Sequence, residues 1–236
     1  CIPSKMFIRA ANSLAEARRV EKLAGGASVT PDFSLVAKRI RDEATDNWDD
    51  TVAAKRVTDA GATLVRGRGR LTGDRTVEVD GETYIASKGV VLNTGTTAAV
   101  PPIDGLSDTP YWTNREAVST ESVPGSLIVI GGGAIGLELA QGFSRFGAQV
   151  TVLEVAPRIL APEEPESSEL LAKVFEAEGI AVHADVTIDR VEHDGTRFTV
   201  TGGDTTYDAE QLLVAAGRKS RLDDIGLDTV GVEVDR

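Results

Sequence analysis

In the stretch IGGGAIGLE, glycines stand at 131, 133 and 136 in the spacing GxGxxG, directly after the apolar run SLIVI and at the head of an amphipathic run. That spacing serves the binding of phosphates. Gly131 permits a tight strand-to-helix turn, Gly133 lets backbone approach a pyrophosphate, and Gly136 lets helix and strand pack closely. The helix N-terminus, with its free amides and positive dipole end, then faces the phosphates. Gly132, Ala134 and Ile135 complete the turn. Glu154 closes the next apolar run, AQVTVLE, where a carboxylate meets ribose hydroxyls and repels a 2′-phosphate. These residues predict a dinucleotide site that prefers NAD(H) to NADP(H). Arg158, four residues on, is read as a solvated loop charge rather than a phosphate contact.

Cys1 is the only cysteine, so the chain forms no internal disulfide. It precedes an amphipathic helix whose dipole favours a thiolate, and Lys5 is close to it in sequence, so a reactive thiol is one reading and an inert one the other. His183 falls in a strand and His193 in the turn VEHDG, and both read as structural or solvated. No His/Cys cluster suggests a protein metal site.

The elements that must position these residues follow from periodicity. Met6, Phe7, Ala10, Ala11, Leu14 and Ala17 predict a helix from Ser4 to about Val20, with Pro3 in its first turn. A second helix is expected from Asp32 with Phe33, Val36, Ile40, Ala44, Trp48 and Val52 on one stripe, stopping by Gly61. The runs ATLVRG, TVEVDGETY and GVVLNTG read as strands, with a hairpin at Asp80-Gly81. SLIVI, the glycine turn, its helix and AQVTVLE make a βαβ unit. A helix from Glu169 to Glu178, a strand in GIAVHA and hairpins ending at LLVAAG follow. TVEVDGETYIASKGVVLNTG and RFTVTGGDTTYDAEQLLVAAG can be overlaid with one gap, and such a repeat predicts two related nucleotide-binding folds.

Composition restricts the partners. Against 25 Lys+Arg stand 37 Asp+Glu, a net charge of −12 that repels nucleic acid and anionic membrane, so neither is expected as a partner. RGRGR, from Arg66 to Arg70, alternates like a strand and is read as structure. No apolar run approaches the roughly 20 residues of a membrane helix, and the expected setting is the cytoplasm. The chain of 236 residues begins without Met, and the expectation is a piece of something longer.

CIPSK with its helix, then VVLNTG, GGGAIGLE and LLVAAGR in that order, resembles the class I pyridine nucleotide-disulfide oxidoreductases, over essentially the whole chain. AVPPIDGL and YWTNREAVS are similar to the mercuric-reductase-like members, CIPSK and Glu154 to the dihydrolipoamide-dehydrogenase-like ones. The resemblance implies that Cys1 is the flavin-side member of a CxxxxC redox pair whose other cysteine lies upstream. It implies that Lys5 sits beside the flavin ring and pairs with Glu138, which is expected to be buried. Gly69 is placed near the flavin adenosine, and Thr94, Gly95 and Thr96 near the flavin nucleotide, with Asn93 departing from the usual alanine. Gly131 to Glu138, Glu154, Ile188 and Gly217 are assigned to the nicotinamide cofactor.

The expected fold is α/β, a Rossmann-like NAD(P)-binding domain with a parallel sheet and β-meander, beside an incomplete FAD-binding domain. The expected boundaries are 1–105 for the FAD-binding part, 106–218 for the NAD(P)-binding domain and 219–236 for a return segment. Cut points inside the family pattern are expected at both ends, without the first phosphate loop, the Gly-Asp flavin segment or the dimerisation domain. The implied enzyme is an FAD-dependent flavoprotein that passes hydride from NADH or NADPH to a disulfide, metal-ion or quinone substrate, the parent being a homodimer and this chain alone inactive. The competing readings are a stand-alone NAD(H)-binding or sensor module without flavin chemistry and a structural α/β protein with a vestigial site.

Overall fold

A computed structural model of the chain describes residues 2–234. In chain order, helices α1 (Ile2–Leu23) and α2 (Phe33–Arg39) lead through a π-turn at Ile40–Ala44 to α3 (Thr51–Asp59). Strands β1 (Gly69–Gly73), β2 (Thr76–Val79), β3 (Glu82–Ile85) and β4 (Thr96–Ala98) follow. Then come α4 (Asn114–Ser119), β5 (Ser126–Ile130), α5 (Ala134–Arg145), β6 (Gln149–Leu153) and α6 (Pro165–Ala177). The chain continues with β7 (Ala181–His183), β8 (Arg190–His193), β9 (Phe198–Gly202), β10 (Thr205–Ala209), β11 (Gln211–Val214) and β12 (Arg218–Ser220).

These elements form two compact units, Cys1–Trp48 with Ala98–Gly217, and Asp49–Thr97 with Arg218–Arg236. The division cuts the chain differently from the boundaries expected at residues 105 and 218, because α1 packs against α5 in the first unit.

The first unit is built on a parallel sheet in the order β11-β5-β6-β7. Strand β5 is central and buried from Leu127 to Ile130, which explains why SLIVI is a continuous apolar run and not an alternating one. Its one face meets α5 and α1 through Leu127, Val129, Leu137, Phe143 and Phe7. The other meets the antiparallel sheet β10-β9-β8 through Ile128, Ile130, Leu153, Val191 and Val200. Helix α1 approaches α5 where Gly142 lies: a Cβ there would stand 2.6 Å from the ring of Phe7, which is 1% exposed.

In the second unit β1, β2 and β3 form a meander whose Asp80-Gly81 turn has positive φ at both residues, 49° and 91°, as a two-residue hairpin demands. The amide of Leu71 in β1 donates to Ile225 O at 2.8 Å, and Gly226 packs where a Cβ would meet Leu71 O at 2.1 Å. The RGRGR arginines enter ion pairs here, Arg66 with Asp50 at 2.7 Å and Arg68 with Asp224 at 3.4 Å.

The structure corrects several expectations. The single helix predicted from Asp32 is broken, because Thr45 Oγ1 donates back to Ile40 O and Arg41 O, and Asp46, Asn47 and Trp48 adopt φ of 48°, 57° and 62°. Side-chain competition for backbone carbonyls and a left-handed run end the helix there. Trp48 is consequently 50% exposed and not part of a buried stripe. The first helix runs longer than predicted, and the later one starts at Pro165, whose fixed φ suits a helix start. His193 ends β8 instead of lying in the turn. ATLVRG and GVVLNTG are not strands: LLVAAG finds β5 as a parallel partner, whereas Val91 is 90% exposed and Leu92 44%, without a ladder among the described residues.

Gly136 yields a stability prediction. A Cβ at this position would lie 2.2 Å from Gly131 O, a backbone atom of the turn. Gly136→Ala is expected to cost about 1–3 kcal/mol in denaturant unfolding by overpacking the strand-helix contact. A loss below about 0.5 kcal/mol would show that the turn relaxes freely around the added methyl.

Candidate nucleotide site

The cavity at the C-terminal end of β5 has a volume of about 620 Å³ and is lined by the glycine turn, Ile135, Glu154, Ile188, Gly217, Pro101, Ile103, Ala161 and Pro162, among others. This size lies within the range of small-molecule sites, and the ends of strands in a parallel sheet are where such sites form.

The three glycines of the motif do different work. Gly131 has φ of 113°, and a Cβ on it would stand 2.5 Å from Ala215 O. Gly136 holds helix to strand, as above. Gly133 differs: it has φ of −84°, lines the cavity, and a Cβ on it would meet no protein atom within 4 Å. The space there belongs to whatever approaches the backbone. Gly133 is also the N-cap of α5 and brings no side-chain cap, so the amide-bearing start of the 12-residue helix opens on the cavity at Gly133, Ala134 and Ile135. The residues therefore fit a dinucleotide pyrophosphate.

Glu154 lies at the end of β6, half-buried, with Oε2 accepting from the Gly132 amide at 2.5 Å and Oε1 from the Ala156 amide at 2.7 Å. These bonds aim the carboxylate at the cavity rim. Ile188 and Gly217 line the same cavity, so the glycine turn, Glu154, Ile188 and Gly217 lie together there, whereas Glu138 is not part of its wall. Arg158 departs from its sequence reading. It is neither a free solvated charge nor turned to the cavity, because its guanidinium donates to the carbonyls of Leu160, Ala161 and Glu163.

Lys5 and Glu138 meet, with Nζ 2.7 Å from both carboxylate oxygens. The expected burial of Glu138 is corrected: its side chain is 44% exposed, beside 59% for Lys5. Phe7, Gly142 and Phe143 make the α1–α5 contact, while Lys5 and Glu138 lie at its edge, where an ion pair adds only about 0–1 kcal/mol. Cys1 lies outside the described residues.

Gly69, Thr94, Gly95 and Thr96 all belong to the second unit. A Cβ on Gly69 would meet Val77 and Val79 at 3.7 and 3.9 Å, ordinary contact distances, so this glycine shows no cradle that a ligand must fill. Gly95 has φ of 69° and accepts from the Arg221 amide at 3.2 Å, and Thr96 accepts from Arg218. The sequence reading missed Pro101, Ile103, Ala161, Pro162, Ala215 and Ala216 as cavity residues. AVPPIDG and LAPEEP signal Pro101, Ile103, Ala161 and Pro162 only as loops, and loop walls have no periodicity to read, while Ala215 and Ala216 stand in LLVAAG, which reads as the end of a strand run. Among the described residues no group of three or more His, Cys, Asp or Glu is arranged to hold a metal ion, and no helix is long and apolar enough to cross a membrane.

Strand, glycine turn, helix and parallel strand in this arrangement define a Rossmann-like α/β protein of the FAD/NAD(P)-binding type. Residues 1–236 match the family described as pyridine nucleotide-disulphide oxidoreductase, and the chain belongs to that family. It is 35% identical to a mercuric reductase of Acidithiobacillus ferrooxidans over 99% of its own length and 44% of that protein's. It is also 35% identical to a dihydrolipoyl dehydrogenase of Chlorobaculum tepidum, over 100% of this chain and 52% of that one. The chain thus spans about half the length of these relatives. The fold is also that of the HOCl-induced flavoprotein disulfide reductase RclA from Escherichia coli, with a TM-score of 0.83 at 23% identity over all of this chain and 50% of that one.

Proposed function

We propose that the protein acts as a flavin-dependent NAD(P)H oxidoreductase of the dihydrolipoamide-dehydrogenase or mercuric-reductase kind, with NADH as donor and Cys1 as one member of a redox cysteine pair. The observation that carries this reading is the cavity at the end of β5, where Gly133 leaves room against the uncapped start of α5 and Glu154 stands at the rim. Family membership supplies the reaction class.

Each residue has a role in this reading. The first-turn amides of α5 and the open face at Gly133 bind the pyrophosphate. Glu154 accepts from the ribose hydroxyls and rejects a 2′-phosphate by charge. Lys5, held by Glu138, places a positive charge at the flavin side, and Gly69, Thr94, Gly95 and Thr96 belong to the flavin nucleotide region. A bound FAD would take electrons from the nicotinamide and deliver them toward a thiol pair, and the protein's part is positioning and electrostatics. The substrate falls in the class of small disulfides, metal ions or quinones, and a homodimer in the cytoplasm is the proposed working form.

The test is the visible absorption spectrum of the purified protein before and after anaerobic addition of NADH, together with the heat of NADH binding. A flavin band that bleaches supports the oxidoreductase. A colourless protein that binds NADH supports a nucleotide-binding module instead, and absence of both signals removes either reading. Glu154→Gln is expected to lower the preference for NADH over NADPH about tenfold in parallel titrations. An unchanged preference would take Glu154 out of cofactor selection.

A further inference from the structure

Beyond Glu154 the chain passes through residues 155–163, and Ala161 and Pro162 of this loop form one wall of the cavity. The wall is held from two sides. On one, Ile159 is 2% exposed and packs beside the glycine turn, where a Cβ on Gly132 would come within 2.8 Å of its Cγ2. The Leu160 amide, in a residue with φ of 48°, donates to Gly132 O at 2.8 Å, which ties the loop to the turn itself. A bulky residue in the left-handed region persists only where its surroundings over-determine it.

On the other side is Arg158. Its Nη1 donates to Leu160 O at 2.9 Å, and its Nη2 donates to Ala161 O at 2.8 Å and Glu163 O at 2.7 Å. One planar fork thus gathers three carbonyls of a loop without regular structure of its own. A cation spent in this way is not available to a phosphate.

We propose that Arg158 is a positioning residue of the nucleotide cavity, fixing the loop carbonyls of residues 160, 161 and 163 so that Ala161 and Pro162 stand as the wall beside Glu154. The same bonds withhold the guanidinium from a 2′-phosphate, so the one cation of this loop does not offset the charge of Glu154 toward NADP(H). The assignment rests on the dinucleotide reading above. It implies that an ammonium at this position, which lacks the planar fork, restores only part of the wall.

The experiment compares the purified full chain with Arg158→Lys and Arg158→Ala, by amide hydrogen exchange without ligand and by titration with NADH and NADPH. Arg158→Ala is expected to speed exchange in residues 159–163 about tenfold while strand β5 and helix α5 keep their protection. Its Kd for NADH rises about tenfold, with Arg158→Lys between the two. If Arg158→Ala does not fold, the lysine variant alone carries both readouts.

Unchanged exchange in the loop overturns the proposal whatever the ligand results. Faster loop exchange with NADH affinity unchanged within about twofold overturns it too, since the wall would then be irrelevant to binding. Wild-type protein that prefers NADPH refutes the withheld cation. Failure of the wild type to bind either nucleotide sinks the functional reading of the cavity, and the cavity role of Arg158 with it, and is told apart from failure of the clamp by the exchange data.

Discussion

Gly133→Asp is expected to abolish NADH binding, raising the apparent Kd more than about 100-fold, while the protein stays folded. The backbone at this position has φ of −84°, which any residue adopts, and a Cβ there touches nothing within 4 Å, so a side chain brings neither strain nor clash. It does project a carboxylate into the space before the first turn of α5, the seat that the pyrophosphate takes in the proposed function. An anion fixed there occupies the volume and repels the phosphates. The thermal midpoint is expected within about 2 °C of wild type, as for a substitution that disturbs no packing. NADH titration and a melting curve on the same sample check both halves. Retained binding would mean that the nucleotide does not approach the turn.

The second large effect concerns the first helix. Phe7→Ala is expected to destabilise the first unit by about 3–5 kcal/mol. The ring is 1% exposed, with its centroid 4.9 Å from that of Phe143, 5.8 Å from Phe33 and 6.1 Å from Phe146. Gly142 lies under its edge without a side chain to fill the space left behind. Neighbouring rings cannot collapse onto the glycine without moving α5, so most of the volume remains as a cavity and its cost adds to the lost transfer energy. Urea unfolding followed by far-ultraviolet circular dichroism measures the loss. A change below about 1 kcal/mol would show that α1 docks without this ring. Because α1 also carries Lys5, loosening it separates Lys5 from Glu138, so the variant also tests whether the ion pair survives without the aromatic contact beneath it.

Local chemistry made parts of the fold legible. DG at residues 80 and 81 predicts a hairpin because only a few residue types accept positive φ, and the turn is there. SLIVI reads as a buried strand because both its faces are covered, and it is the central strand of the parallel sheet. The break at Asp46–Trp48 escaped the reading because the apolar stripe runs straight across it, and periodicity does not register a hydroxyl turning back to a carbonyl.

By itself, then, the sequence determined the strand-turn-helix-strand frame and, within it, which glycines stand at the turn and which carboxylate closes the next strand. Those features depend on φ preferences, side-chain volume and spacing within a few residues, all of which are written locally. Which apolar runs become strands was set by packing across the chain, since LLVAAG and GVVLNTG look alike and a ladder exists only where a partner strand lies alongside. Packing alone set the open side of Gly133 and the exposure of Lys5 and Glu138, which are 133 residues apart. Each of these depends on which distant atoms close the space around a residue, and burial, unlike turn chemistry, is a property of the packed chain.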